Sequence, residues 1–154
     1  MITLIFPERA DNTYGGHKLA LWLFALLLLL KGAIGVNSVL NGYGVATFAD
    51  NIPLDTFSPA GAQAFVSLFA LWGLSHLVIC LLGVLVLVRY RGFVPLMYVV
   101  FLLEHLARKA FLFFHPIAKT GTSHGLVINI TIVVVMIIGL ALALWRPQAG
   151  ASGS

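Results

Sequence analysis

Residues 62–88, AQAFVSLFALWGLSHLVICLLGVLVLV, decide the fold, and they contain no Asp, Glu, Lys or Arg. About 20 consecutive apolar residues are enough for a helix to cross a hydrocarbon core of about 30 Å, so this stretch can span a membrane with some tilt. Ser58 and Pro59 precede it, and a hydroxyl N-cap followed by proline is typical of a helix start. The sequence therefore predicts a membrane-spanning helix over about 59–88.

Three further apolar runs extend this pattern, and they predict helices near 18–40, 93–114 and 125–145. The last run is rich in Val and Ile, which in water would suggest a strand, but its length of about 20 apolar residues favours a membrane helix. The predicted fold class is all-α: one transmembrane domain over 1–154 that forms a bundle of four transmembrane helices. A loop over 41–57 and a flexible tail over 147–154 complete it.

Composition supports a protein embedded in lipid. Hydrophobic residues make up 60% of the 154 residues and charged residues only 9%, whereas a soluble domain carries roughly 25% charged residues. The net charge of +4 comes from basic residues placed singly or in pairs beside apolar runs, so no nucleic-acid partner is predicted. The expected partners are the lipid bilayer and either other membrane subunits or further copies of this chain.

The connections between the runs predict the topology. The second and third runs are joined by a short basic turn, Arg89 to Gly92, which should be cytoplasmic and should make the two helices antiparallel neighbours. The 41–57 loop carries Asp50 and Asp55 but no Lys or Arg, so it should face outward, and both chain ends should be cytoplasmic. This loop is also apolar enough that we expect it to pack against the outer mouth of the bundle.

Three titratable residues lie at one predicted depth in the membrane. Lys31, His76 and Glu104 are each thirteen residues from a basic residue at the predicted inner end of their helix, Lys18, Arg89 and Arg91. At a rise of 1.5 Å per residue this depth is about 20 Å, close to the midplane. Because an unpaired charge there costs several kcal/mol, the three side chains should face one another or line a wet cavity.

His105 and Arg108 belong to the same candidate cluster, since Arg108 follows Glu104 by four residues on one helical face and His105 lies next to it. Three interpretations are open. The cluster is a structural set of ion pairs that centres on Glu104, or it is a site for a quinone, a lipid or another small ligand or a proton relay, or it is a metal or haem site. His76, Cys80 and His105 are the candidate metal ligands, because imidazole and thiolate are common ligands.

Cys80 is the only cysteine, so an intramolecular disulfide and dithiol–disulfide chemistry are excluded. Besides a metal ligand, Cys80 can be interpreted as a small buried hydrophobic residue. No residue pattern matches a defined catalytic motif, so the sequence assigns no catalytic residue and leaves enzymatic activity open.

Over about 18–146 the chain resembles the DoxX-like group of small bacterial four-helix membrane proteins. The resemblance rests on five features: the glycine-bearing segment KGAIG at 31–35, the long outer loop, Ser58 with Pro59, the basic RYR turn at 89–91, and the charged segment EHLARK at 104–109. It implies a multi-pass protein of the bacterial cytoplasmic membrane. It also implies an accessory or assembly subunit of a larger complex, which in some members is quinone-linked. The alternatives are a membrane protein that itself binds a ligand, quinone or haem, or a small transporter or proton pathway.

Overall fold

The computed structural model describes residues 5–7, 11–121 and 125–145, and this part of the chain is helical and contains no strand. Its four long helices are α1 (Lys18–Leu40), α2 (Pro59–Arg89), α3 (Val94–Phe114) and α4 (Gly125–Leu144). Each bound lies within about one residue of the predicted one. The predicted tail, 147–154, lies outside the described residues.

Helices α1, α2 and α4 are each long and apolar enough to cross a membrane. Helix α3 is also 21 residues long, but it carries Glu104 at its middle and Arg108 and Lys109 in its second half. The protein is therefore all-helical in its described part, with three helices of membrane-spanning length and hydropathy and a fourth that carries charges from its middle onward.

The helix ends follow from local chemistry. The Ser58 hydroxyl accepts a hydrogen bond from the Gly61 amide at 3.1 Å, and Pro59 occupies the first turn of α2, which confirms the predicted start. At the start of α1, His17 Nδ1 accepts from the Leu19 amide at 3.2 Å. Helix α3 ends at Phe114, just before the His115–Pro116 pair, because proline cannot continue a helix.

Helix α1 organises the bundle, since it packs most extensively against α2 and then against α4, while α3 packs mainly against α4. The contact between α1 and α2 depends on small residues. A Cβ atom on Gly73 would lie only 2.8 Å from the Gly35 carbonyl oxygen and from Ser38 Cβ. Small residues at such positions let two helices approach closely in a membrane.

Helices α2 and α3 contact each other less than the short turn between them suggests. The turn, Arg91–Phe93, is a single 3-10 turn. Beyond it, residues of both helices line a cavity, described below, so the space between them is only partly filled by side chains.

The apolar core joins α1, α3 and α4. Phe24, Leu27, Tyr98, Phe101 and Met136 are fully buried in it. The Tyr98 hydroxyl donates a hydrogen bond to the Ala20 carbonyl at 2.8 Å, so its polar atom is satisfied inside the bundle.

The same end of the molecule holds the chain segment before α1, the α2–α3 turn and the last turn of α4. The His17 amide donates to the Leu142 carbonyl at 3.0 Å, and a Cβ atom on Gly92 would lie 3.3 Å from the Thr13 carbonyl oxygen. We call this the turn end of the bundle. Trp22 and Trp145 are exposed on α1 and just after α4 near this end.

The opposite end, which we call the loop end, is covered by the connection between α1 and α2. This connection contains a helical turn (Gly42–Gly44), a π-helical turn (Val45–Ala49) and a 3-10 turn (Leu54–Thr56). Ala46, Ile52 and Leu54 are at most 2% exposed and pack against Phe65, Val66 and Phe69 of α2. The expected packing of this loop against the bundle is therefore confirmed, although Tyr43 and Phe48 point outward.

The connection between α3 and α4 is tied to the same loop. The Thr120 amide donates a hydrogen bond to the Asn51 carbonyl at 2.9 Å, and Lys119 lies 3.8 Å from the Asp50 carboxylate. Together the two connections form the boundary of the loop end.

Candidate ligand-binding site

Glu104 is the centre of the polar cluster inside the bundle. Its Oε2 lies 3.2 Å from Lys31 Nζ, which donates a hydrogen bond to it, and its Oε1 lies 3.6 Å from Arg108 Nε. His76 Nδ1 is 3.9 Å from Oε1, which is too long for a hydrogen bond. Lys31, His76 and Glu104, which belong to three different helices, thus lie close together as predicted.

The two cations of the cluster are also held by aromatic rings. The Lys31 ammonium lies 5.0 Å from the centre of the Phe101 ring, and the Arg108 guanidinium lies 4.6 Å from the centre of the Trp72 ring. A cation over an aromatic face is attracted by the negative face of the ring. Lys31 is only 1% exposed, so its positive charge is stabilised by the Phe101 ring and by Glu104 and not by water.

The two histidines are buried but have different partners. His105 Nδ1 lies 3.3 Å from Arg108 Nη2. Because arginine can only donate, a hydrogen bond between these two atoms requires Nδ1 to accept, with the ring proton on Nε2. His76 instead packs against Trp72, with 5.7 Å between ring centres and the ring planes tilted by 44°.

A metal site at His76, Cys80 and His105 receives no support from the described residues. Cys80 is a free, buried thiol among apolar residues of the core. In residues 5–7, 11–121 and 125–145 no group of three or more His, Cys, Asp or Glu side chains is arranged to hold a metal ion. Cys80 therefore behaves as the small buried hydrophobe that the sequence also allowed.

A cavity of about 500 Å³ extends from this cluster to the loop end. Lys31, His76, His105 and Arg108 line its deep end, while Asp50 and Lys119 line its end near the loops. Between them the walls are apolar and aromatic, formed by Phe65, Phe69, Trp72, Phe111, Ile128 and Ile132. Small-molecule sites typically have volumes of roughly 300–1,000 Å³ and combine apolar walls with a few polar groups, as this cavity does.

Several residues that line the cavity were not among the predicted site residues. Trp72 is the clearest, and its position four residues before His76 on the same helical face was the available signal. Lys109 also lines the wall, next to Arg108. Asp50 and Lys119 could not be assigned from the sequence because they lie on two separate connections.

The chain matches no family model, no curated protein and no solved structure. The resemblance to the DoxX-like group therefore stays a prediction.

Proposed function

We propose that this chain crosses the cytoplasmic membrane of a bacterium four times, with the turn end and both chain ends inside. Helix α3 is the one long helix in the described part of the chain that is not among the three helices apolar enough to cross a membrane, because its charges lower its hydropathy. They are nevertheless compatible with a span, since Glu104 and Arg108 pair within the bundle and the outward side chains of α3 include exposed Leu103, Leu106 and Phe113. The basic turn between α2 and α3 supports the orientation.

Within this topology, we propose that the protein binds a lipophilic small molecule with a polar head group. The observation that carries the proposal is the cavity, in which aromatic and aliphatic walls lead to a buried cluster of hydrogen-bond donors. The apolar walls would bury the body of the ligand, and Lys31, Arg108 and the histidines would orient its head. A quinone, a lipid or a fatty acid has this general form.

A second candidate function is an accessory or assembly subunit of the DoxX-like type. The observation that favours it is the ion pair between Lys31 and Glu104, which joins α1 to α3 although these helices contact each other little elsewhere. In this case the cluster would serve to hold the bundle together. A transporter or proton pathway is supported less, because the Phe24, Tyr98 and Phe101 core fills the described bundle on the turn side of the cluster.

Fluorescence of Trp72 tests ligand binding directly. With Trp22→Phe and Trp145→Phe, Trp72 is the only tryptophan left, and it lies in the cavity wall. The purified protein in a neutral detergent would be titrated with 6-bromododecanoic acid, its methyl ester and decylubiquinone. Each of these quenches a tryptophan that it contacts, and the mid-chain bromine stays within reach of a tryptophan beside the head group. We expect saturable quenching by at least one of these probes.

A matched pair of double variants shows whether the quenching comes from the cavity. Leu68→Phe with Ile128→Phe adds bulk at two cavity-lining positions, whereas Leu71→Phe with Ile130→Phe adds the same bulk at comparably exposed positions that do not line the cavity. The first pair should weaken saturable quenching and the second should not. Quenching that rises linearly with every probe, as partition into the micelle would produce, would refute ligand binding.

A further inference from the structure

We propose that the ligand is an anionic amphiphile, a molecule with an apolar chain and a carboxylate or phosphate head, rather than a neutral lipophile. This inference rests on the proposed ligand-binding function and adds the charge of the ligand to it. Four cationic side chains line the wall, Lys31, Arg108, Lys109 and Lys119, against a single carboxylate, Asp50, among the described residues.

Pairing within the protein does not balance these charges. At the loop end, Asp50 lies 3.8 Å from Lys119, so each offsets the other. At the deep end, Glu104 is shared by Lys31 and Arg108, which leaves one positive charge in excess. Lys109, which also lines the wall, adds a second. A buried charge without a counter-charge is costly, and an anionic head group would supply that counter-charge.

The geometry of Arg108 shows where the head group would bind. Its Nε atom is buried and has no hydrogen-bond partner in the described part of the chain, although Glu104 lies at ion-pair distance. Its guanidinium stacks over Trp72 and therefore stands in the cavity wall. Arginine presents several donors in a planar fork, which suits the two oxygens of a carboxylate or phosphate.

The chain of the amphiphile has a path between α2 and α3. Leu68 on α2 and Phe111 on α3 both line the cavity, yet they are 64% and 62% exposed. The wall between these helices is therefore open toward their outer surface, where lipid would surround the bundle. An apolar chain longer than the cavity can extend through this opening into the membrane while its head stays at Arg108.

The matched acid and ester probes of the Trp72 experiment separate this inference from the proposed function. The two molecules have the same chain and differ in the charge of the head. We expect 6-bromododecanoic acid to bind at least about tenfold more tightly than its methyl ester, which corresponds to about 1.4 kcal/mol. Acetate and inorganic phosphate, which offer the head without the chain, should not displace the acid at millimolar concentration.

Arg108→Gln should reduce the preference for acid over ester, and Arg108→Lys should restore part of it. Arg89→Gln removes a cation at the turn end, far from the cavity lining, and should leave the preference unchanged. Equal affinity for acid and ester would overturn the anionic inference while leaving ligand binding intact. Displacement by acetate or phosphate would also overturn it, because the site would then bind free anions, and no saturable binding of any probe would overturn both proposals.

Discussion

At the scale of single residues, Glu104 is the group on which the polar cluster depends. It accepts from Lys31 and lies at ion-pair distance from Arg108, so it is the only carboxylate among the described residues that neutralises these two cations. Removing one member of a buried ion pair leaves the other without a partner, which typically costs about 3–5 kcal/mol. Because the Glu104 side chain is 20% exposed, the lower end of that range applies.

We therefore expect Glu104→Gln to lower the free energy of unfolding by about 3 kcal/mol and to lower the melting temperature in detergent. Asp55→Asn is the matched control, since it makes the same chemical change at an exposed carboxylate and should have little effect. Thermal unfolding followed by circular dichroism measures both. A Glu104→Gln protein as stable as the parent would contradict the idea that the ion pairs hold α3 against α1.

At the scale of elements, the close contact between α1 and α2 depends on the absence of a side chain at Gly73. Gly73→Ala would place a Cβ atom 2.8 Å from the Gly35 carbonyl oxygen, which is backbone and cannot move independently of α1. Overpacking of this kind costs typically about 1–3 kcal/mol, so we expect a loss of stability of that size.

Gly32→Ala is the comparison on α1, because a Cβ atom there meets nothing within 4 Å. Alanine is the better helix former, so this change should be neutral or should stabilise by up to about 1 kcal/mol. Thermal melts of the two variants in the same detergent test the pair. Equal melting temperatures for Gly73→Ala and Gly32→Ala would mean that the α1–α2 contact is looser than described.

At the scale of the whole molecule, the proposed topology places the loop end and the turn end on opposite sides of the membrane. Single cysteines at Asp55 and Tyr90, introduced with Cys80→Ala, mark the two ends. In intact cells a membrane-impermeant maleimide should label the first variant and not the second. In inside-out vesicles the pattern should reverse, and labelling of both positions from one side would refute four crossings.

The sequence alone determined the helices and the composition of the cluster. The apolar runs predicted the bounds of α1 to α4, because a membrane-length run with a Ser58–Pro59 start leaves little choice of secondary structure. Counting residues from the basic helix ends placed Lys31, His76 and Glu104 at one depth, since the helical rise is nearly constant.

Only the tertiary structure decided that these helices leave a cavity and what lines it. Depth along a helix says nothing about how far apart two helices lie, and the space between α2 and α3 depends on how each packs against α1 and α4. The pairing of Asp50 with Lys119 likewise joins two connections that lie far apart in the chain. Local sequence patterns fix the period and length of each helix, whereas the distances between helices depend on the packing of all side chains together.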